Sequence, residues 1–172
     1  KSPFKVISKP SPDGREIALT HNSLKILKKI GVWDFIEDSE VSPLKEAKVF
    51  DGESDSLLSF DTNKSSIEAL GYLVPNYLIR LALFKKASQI ENVTIQYDIS
   101  VVDVKTNPSN ANIVLSNGMV IKSKLIVAAD SRFSEIRRKM GIPSMMKDFS
   151  KVMIVTRVSH ENTHNQTALE CF

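Results

Sequence analysis

The stretch from residue 125 to residue 142 reads LIVAADSRFSEIRRKMGI, and it decides the fold class of this chain. Its first five residues, 125–129, are an uninterrupted apolar run, which is typical of a strand buried on both faces of an α/β sheet. Asp130 ends the run, and a helix is predicted from about Ser134 to Met140. A carboxylate in that position faces the crevice where α/β sheets bind their ligands.

The residues alone leave two interpretations of Asp130 open. As a polar residue ahead of a helix, it can cap the helix that starts near Ser134. As a group at the end of a strand, it can accept hydrogen bonds from sugar or ribityl hydroxyls, while Arg137 meets a phosphate. Arg137 is itself ambiguous, because a basic residue in the last turn of a helix complements the helix dipole without any ligand.

Helices and strands alternate on both sides of this stretch. Ser23 is predicted to cap a helix that ends before Gly31, and a second helix opens at Pro75–Asn76. A strand, a turn and a strand are predicted over 47–60, and a hairpin over 113–121. Further extended segments are predicted at 5–7, 93–97, 101–104 and 151–158. The order predicts a mixed α/β (α+β) fold, with a Rossmann-like sheet interrupted by a mostly antiparallel piece.

Composition excludes several other classes of protein. The 172 residues are 42% hydrophobic and 25% charged, which is ordinary for a soluble globular protein. The net charge is +3, and the short basic pairs fall in last turns of predicted helices, so no nucleic-acid partner is expected. One cysteine and three histidines argue against a disulfide and against a metal site. Cys171 is predicted to be a buried strand residue.

The 125–142 stretch resembles the second fingerprint of FAD-dependent aromatic hydroxylases, in which a strand ends in G-A-D-G and x-x-S-x-x-R follows. Asp130, Ser134 and Arg137 match that motif, and Ala128 and Ser131 stand where the family usually has glycines. The resemblance implies that the three matching residues contact FAD.

Two further stretches resemble the ubiquinone-biosynthesis branch of these hydroxylases. They are DGREIALTHNSLKILKKIGVWDFI (13–36) and LGYLVPNYLIRLALFKKA (70–87). In that branch an arginine before Ala-Leu lies close to the flavin, and Arg15 holds its position. Asn76 stands where the branch has a polar side chain near the flavin. The closing segment 151–172 is similar to the sheet that roofs the substrate pocket.

The resemblance also implies how the chain divides. Residues 1–43 and 73–146 are expected to be portions of an FAD-binding domain, and 44–72 and 147–172 portions of the substrate-domain sheet. No catalytic residue is assigned, because in such enzymes the reduced flavin carries the chemistry. The expected cofactor-binding residues are Arg15, Asn76, Asp130, Ser134 and Arg137.

The six glycines are too far apart to form the G-x-G-x-x-G turn that holds a pyrophosphate on a helix N-terminus. The chain also starts at Lys1 and ends inside an extended run, and the family's later glycine-aspartate motif would lie beyond Phe172. We therefore expect the middle part of a hydroxylase that is inactive alone and binds FAD weakly or not at all. We also expect such a truncated sheet to self-associate through an exposed strand edge.

The resemblance implies an FAD-dependent monooxygenase that uses NAD(P)H to hydroxylate a polyprenylated phenol in ubiquinone biosynthesis. So insoluble a substrate implies a cytoplasmic enzyme that is peripheral to the inner membrane or served by partners in a ubiquinone-biosynthesis complex. Two alternatives stay open. One is a non-catalytic interaction module on the same scaffold, and the other is a flavin hydroxylase of a soluble aromatic acid.

Overall fold

The computed structural model describes residues 3–52, 57–63 and 66–172, which fall into two compact units. Unit 1 comprises residues 96–153 together with the described residues up to Phe4, and unit 2 comprises 5–95 and 154–172. Helices and strands are mixed along the chain, and most strand pairs between described residues are antiparallel. The predicted mixed fold class is confirmed.

In one three-stranded sheet of unit 2, the central strand pairs with two strands from earlier in the sequence. Strand β5 (Gly71–Pro75) lies between β1 (Glu16–Leu19) and β2 (Ser42–Leu44), antiparallel to both. Gly71 is required here because a Cβ atom at that position would lie 2.7 Å from the Leu19 carbonyl oxygen. A residue without a side chain therefore allows β1 and β5 to approach closely.

Two helices of unit 2 follow the strands of this sheet directly. Helix α2 (His21–Lys29) starts after β1, and helix α3 (Asn76–Ser88) starts after β5, as predicted. The N-cap of α2 is Thr20, whose Oγ1 accepts a hydrogen bond from the Ser23 N–H at 3.2 Å. The prediction of Ser23 as N-cap was wrong, because the helix starts three residues earlier and the Thr20 hydroxyl takes the capping position. Gly31 has φ +69° after the helix, as a C-terminal glycine should.

The core of unit 2 is small and connects these elements. Trp33 and Phe35 lie in a short 3₁₀ turn (Trp33–Phe35) and pack, partly buried, against the buried residues. The buried members of the cluster are Leu19, Val32, Ile36, Val74 and Ala82.

A second sheet of unit 2 contains the strands predicted over 47–60. Strand β3 (Glu46–Phe50) pairs antiparallel with β4 (Leu57–Asp61) and parallel with β9 (Thr167–Cys171). Strand β9 pairs only with β3 among the described strands, and Cys171 is exposed on it. The prediction of a buried cysteine was therefore wrong, because the strand lies at the border of its sheet.

Unit 1 contains the predicted hairpin and the helix of the 125–142 stretch. Strands β6 (Val101–Thr106), β7 (Ala111–Leu115) and β8 (Val120–Ser123) form an antiparallel meander. Gly118 has φ +83° in the β7–β8 turn, a conformation that favours glycine. Helix α4 (Glu135–Lys139) lies where the sequence predicts it and contacts β6.

Three segments that were predicted to be strands form none: 93–97, 125–129 and 151–158. Leu125 is 76% exposed and Val127 is 77% exposed, so the expectation of an interior strand over 125–129 was wrong. An apolar run becomes an interior strand only when neighbouring strands bond to it and layers cover both faces. Among the described strands none pairs with this run.

The apolar segment 5–7 lies in a short helix, α1 (Phe4–Ser8), and not in a strand. Without a neighbouring strand, local helical hydrogen bonds satisfy its backbone. The longest helix of the chain's described part, α3, has 13 residues. No helix there has the length and apolar character needed to cross a membrane.

Candidate functional site

Arg15 and Asn76 lie side by side at one end of the β1–β5 pair in unit 2. The antiparallel register places Glu16 opposite Pro75, so the residue before β1 meets the residue after β5. The Asn76 backbone N–H donates to the Arg15 carbonyl oxygen at 2.9 Å. The fold thus brings together two of the residues that the sequence predicted to contact a flavin.

A third residue, Asp13, joins the two side chains. Its Oδ2 accepts hydrogen bonds from Arg15 Nη2 at 2.6 Å, from Arg15 Nε at 3.0 Å and from Asn76 Nδ2 at 2.8 Å. Its Oδ1 accepts from the Arg15 backbone N–H at 3.2 Å. Gly14, with φ +72°, lets the loop fold back so that Asp13 reaches both partners.

The electrostatics of this cluster favour the ionised carboxylate. Hydrogen bonds from the Arg15 side chain, and next from Asn76, lower the pKa of Asp13 from 3.8 to about 2. The side chain of Asp13 is 26% exposed, whereas that of Arg15 is 58% exposed. The carboxylate therefore forms the base of the cluster, and the guanidinium extends from it towards solvent.

Arg15 also lines a cleft of 600 Å³ that lies within unit 2. Tyr77, Arg157 and His160 line the same cleft. Two arginines, a histidine and a phenol offer several hydrogen-bond donors to a ligand that carries carbonyl or anionic oxygens. Sequence reasoning did not single out Arg157 or His160, because the segment around them was interpreted as an ordinary strand.

Asp130 and Ser134 both cap helix α4 in unit 1. Ser134 Oγ accepts from the Arg137 N–H at 2.9 Å, and Asp130 Oδ2 accepts from the Ile136 N–H at 3.1 Å. A hydrogen bond from Ser134, and next the Ile136 N–H, lower the pKa of Asp130. Of the two interpretations left open by the sequence, the structure shows the helix cap. Asp130 is exposed, so its remaining acceptor sites stay accessible.

Ser131 adopts the left-handed conformation, with φ +75°. This is a position at which the resembled motif usually has glycine, the residue that adopts such a φ without steric cost. The backbone of the motif is therefore the one that a glycine would favour, although serine occupies the position here.

Arg137 is held against the backbone of the turn that follows α4. Its Nη1 donates to the Ile142 carbonyl oxygen at 2.9 Å. It also lines a cavity of 770 Å³ within unit 1, together with apolar side chains that include Leu125, Ile126 and Met140. The guanidinium thus combines a structural contact with access to a largely apolar cavity.

The five predicted residues therefore form two clusters, each within one unit: Arg15 with Asn76, and Asp130 with Ser134 and Arg137. Sequence reasoning missed Asp13, whose signal was an acid two residues before an arginine in a Pro-Asp-Gly loop. Within the ranges that the structure describes, no three His, Cys, Asp or Glu side chains are grouped to hold a metal ion.

Known proteins are similar to this chain in sequence and in fold. Ubiquinone hydroxylase UbiM from Neisseria meningitidis is 44% identical over 176 residues, which cover 100% of this chain and 38% of the relative. The 3-demethoxyubiquinol 3-hydroxylase of Escherichia coli is 25% identical over 170 residues, covering 99% of this chain and 43% of the relative. No protein-family model matches the chain.

Among solved structures, p-nitrophenol 4-monooxygenase PnpA from Pseudomonas putida is 18% identical, with a TM-score of 0.60. The match covers 78% of this chain and 35% of that enzyme, and at this identity it shows the fold alone.

The fold is thus that of flavin-type monooxygenases. By its sequence the chain is similar to a part of the ubiquinone hydroxylases, which is the likeness that residues 13–36, 70–87 and 125–142 predicted. The chain spans about two fifths of the length of these relatives, 38% of one and 43% of the other.

Proposed function

We propose that this chain is the flavin-facing middle part of an FAD-dependent monooxygenase that hydroxylates a polyprenylated phenol in ubiquinone biosynthesis. NAD(P)H is the reductant in this proposal. The match to ubiquinone hydroxylases over the whole chain supports it. The structural observation that carries it is the cluster of Asp13, Arg15 and Asn76, in which residues from two resembling stretches meet around one carboxylate.

The chemistry of these side chains fits part of a flavin nucleotide. Arg15 supplies charged donors, Asn76 supplies an amide, and the exposed Asp130 supplies acceptors for hydroxyl groups. In the proposal Arg15 and Asn76 contact the flavin, and Asp130 accepts from a sugar or ribityl hydroxyl. Ser134 and Arg137 shape the end of α4 that adjoins Asp130. Bound reduced flavin supplies the activation of oxygen, while the protein orients the ring and excludes water.

The glycines of the chain do not provide the cradle that a pyrophosphate needs. They stand at 14, 31, 52, 71, 118 and 141, so no two lie within one turn of each other. Backbone N–H groups in a glycine turn supply much of the affinity for a dinucleotide. We therefore propose that the 172-residue chain alone binds FAD weakly and is inactive.

The proposed location of the enzyme follows from its substrate. A polyprenyl tail partitions into membranes, which favours an enzyme peripheral to the inner membrane on its cytoplasmic side or one served by partner proteins.

The division into FAD-binding portions (1–43, 73–146) and substrate-sheet portions (44–72, 147–172) belongs to the same proposal. The exposed apolar run 125–129 favours self-association of the chain when it is expressed alone.

The experiment that tests the function is genetic complementation by the full-length protein that carries this sequence. It should restore ring hydroxylation in a bacterial strain that lacks a ubiquinone hydroxylase, measured as ubiquinone by mass spectrometry. Restoration that survives Arg15→Gln and Asn76→Ala unchanged would remove the structural basis of the proposal. A soluble aromatic acid hydroxylated in place of the prenylated phenol would favour the soluble-acid alternative.

The chain by itself gives a second test. Purified alone, it should be colourless, with little flavin absorbance per protein. A yellow preparation with near-stoichiometric flavin would contradict the weak binding proposed here. If the full-length protein also lacks flavin and does not complement, the interaction module becomes the better function.

A further inference from the structure

We propose that Asp13 is a positioning residue of the flavin site, which holds the guanidinium of Arg15 and the amide of Asn76 in one orientation. The inference rests on the proposed function and adds a residue that the sequence motifs did not contain. It starts from one oxygen atom, Asp13 Oδ2, which accepts from both side chains at 2.6–3.0 Å.

The contact with Arg15 determines which edge of its guanidinium remains available. Asp13 accepts from Nε and Nη2, which lie on the same edge of the planar group. The opposite edge, with Nη1, therefore faces away from the carboxylate. Because Arg15 lines the 600 Å³ cleft and its side chain is 58% exposed, its free donors are accessible to a ligand.

The contact with Asn76 determines the orientation of an amide that otherwise flips readily. Asn76 donates from Nδ2 to Asp13 at 2.8 Å, so its Oδ1 is directed away as an acceptor. Together Arg15 and Asn76 offer one charged donor and one amide acceptor. Such a donor and acceptor are complementary to a ligand with a carbonyl oxygen beside an N–H group, such as the imide edge of a flavin ring.

Asp13 does not hold the fold itself together. The strands are joined by backbone bonds, including the one from the Asn76 N–H to the Arg15 carbonyl oxygen at 2.9 Å, and these bonds do not involve the Asp13 side chain. Asp13 lies in a loop and outside the hydrophobic core cluster. Its replacement should therefore disturb the orientation of two side chains while leaving the sheet intact.

The test compares Asp13→Asn with a matched control in the full-length, FAD-loaded enzyme. Asn has nearly the same shape but lacks the charge that holds Arg15. The control is Asp103→Asn, because Asp103 also pairs with a basic residue two positions later, Lys105, at 3.7 Å on the surface of unit 1. FAD affinity is measured by the quenching of flavin fluorescence, and the visible flavin spectrum is recorded for each variant.

We expect Asp13→Asn to raise the Kd for FAD about tenfold and to shift the flavin spectrum, as for the loss of one well-placed charged hydrogen-bond donor. Asp103→Asn should change neither quantity, and both variants should stay folded, with one cooperative thermal transition. Asp13→Glu, which keeps the charge, should recover part of the affinity and serves as a second variant if Asp13→Asn folds poorly. Combining Asp13→Asn with Arg15→Lys should weaken binding by less than the sum of the two separate effects, because Asp13 acts in part through Arg15.

Two results would overturn the inference while leaving the proposed function in place. One is a wild-type Kd and spectrum in both Asp13 variants, and the other is an equal effect of Asp103→Asn. A full-length wild-type protein that binds no flavin would instead overturn the proposed function, and this inference with it.

Discussion

The backbone N–H of Asn76 donates to the carbonyl oxygen of Arg15 at 2.9 Å, although the two residues belong to different segments of the sequence. This bond extends the antiparallel pairing of β1 and β5 by one step, from Glu16 and Pro75 to the residues beyond them. The two side chains then meet Asp13, which the loop at Gly14 folds back towards them. The candidate site in unit 2 is therefore a direct product of strand register.

The guanidinium of Arg15 should not be replaceable by an ammonium group. In the full-length enzyme we expect Arg15→Lys to raise the Kd for FAD about tenfold or more, because lysine cannot donate two parallel hydrogen bonds to Asp13 and still present a free edge. Arg80→Lys, on the exposed face of α3, is the matched control and should leave the Kd unchanged. Equal affinities for wild type and Arg15→Lys would contradict this role for the side chain.

The contribution of Asp13 to stability should depend on pH in a defined direction. Because folding lowers the pKa of Asp13 from 3.8 to about 2, its contribution is fully present above pH 3.8 and is lost as the pH falls towards 2. The difference in Tm between wild type and Asp13→Asn should thus be constant from neutral pH to about pH 5 and should shrink in acid. A difference that grows on acidification would show that the carboxylate is not held in this way.

Replacement of Gly71 by alanine, which adds one methyl group, should destabilise the fold. We expect Gly71→Ala to lower the free energy of unfolding by about 1–3 kcal/mol, because its Cβ would lie 2.7 Å from the Leu19 carbonyl oxygen and would force β1 from β5. Chemical denaturation of the purified chain measures the change. The control is Tyr72→Phe, at a half-buried neighbour on the same strand, which adds no atoms and should cost less. An unchanged midpoint for Gly71→Ala would show that the two strands can separate without loss.

The cap of α4 should contribute measurably to stability. Ser134 is 7% exposed and its Oγ accepts from the Arg137 N–H, so Ser134→Ala should cost about 1 kcal/mol of stability. Ser88→Ala, at the exposed C-terminal end of α3, is the control and should change stability by less than about 0.5 kcal/mol. Thermal unfolding followed by circular dichroism distinguishes the two, and equal Tm values would show that Asp130 alone suffices as a cap.

Two valines should respond differently to the same substitution. Val74 is fully buried in the core of unit 2, and Val74→Ala should cost about 2 kcal/mol because it leaves a cavity. Val127 is 77% exposed, and Val127→Ala should change stability by less than about 0.5 kcal/mol. A large loss for Val127→Ala in the purified chain would mean that the run 125–129 is buried there, for example by self-association.

Patterns that depend on nearby residues were predicted well. The helices over 76–88 and 135–139, the hairpin around Gly118 and the β3–β4 pair all lie close to their predicted positions, because caps, turns and helical spacing act over a few residues. Most errors occurred in the apolar runs 93–97, 125–129 and 151–158, where a strand depends on partners that are distant in sequence. The cap of α2, the segment 5–7 and the burial of Cys171 were also predicted wrongly.

The candidate site shows the same difference between local sequence patterns and contacts between distant segments. The motif residues Asp130, Ser134 and Arg137 were identified from one short stretch of sequence, and the structure adds that the first two cap α4. The contact of Asp13 with Asn76 could not be predicted, because the two residues lie 63 positions apart in the sequence.

The sequence by itself determined the likeness to ubiquinone hydroxylases and most of the local helices and turns. Only the tertiary structure decided that one carboxylate joins Arg15 to Asn76 and that the run 125–129 is exposed. The physical reason is that composition and short-range spacing encode local hydrogen bonds, whereas the register of β1 on β5 and the burial of a strand depend on contacts between distant segments.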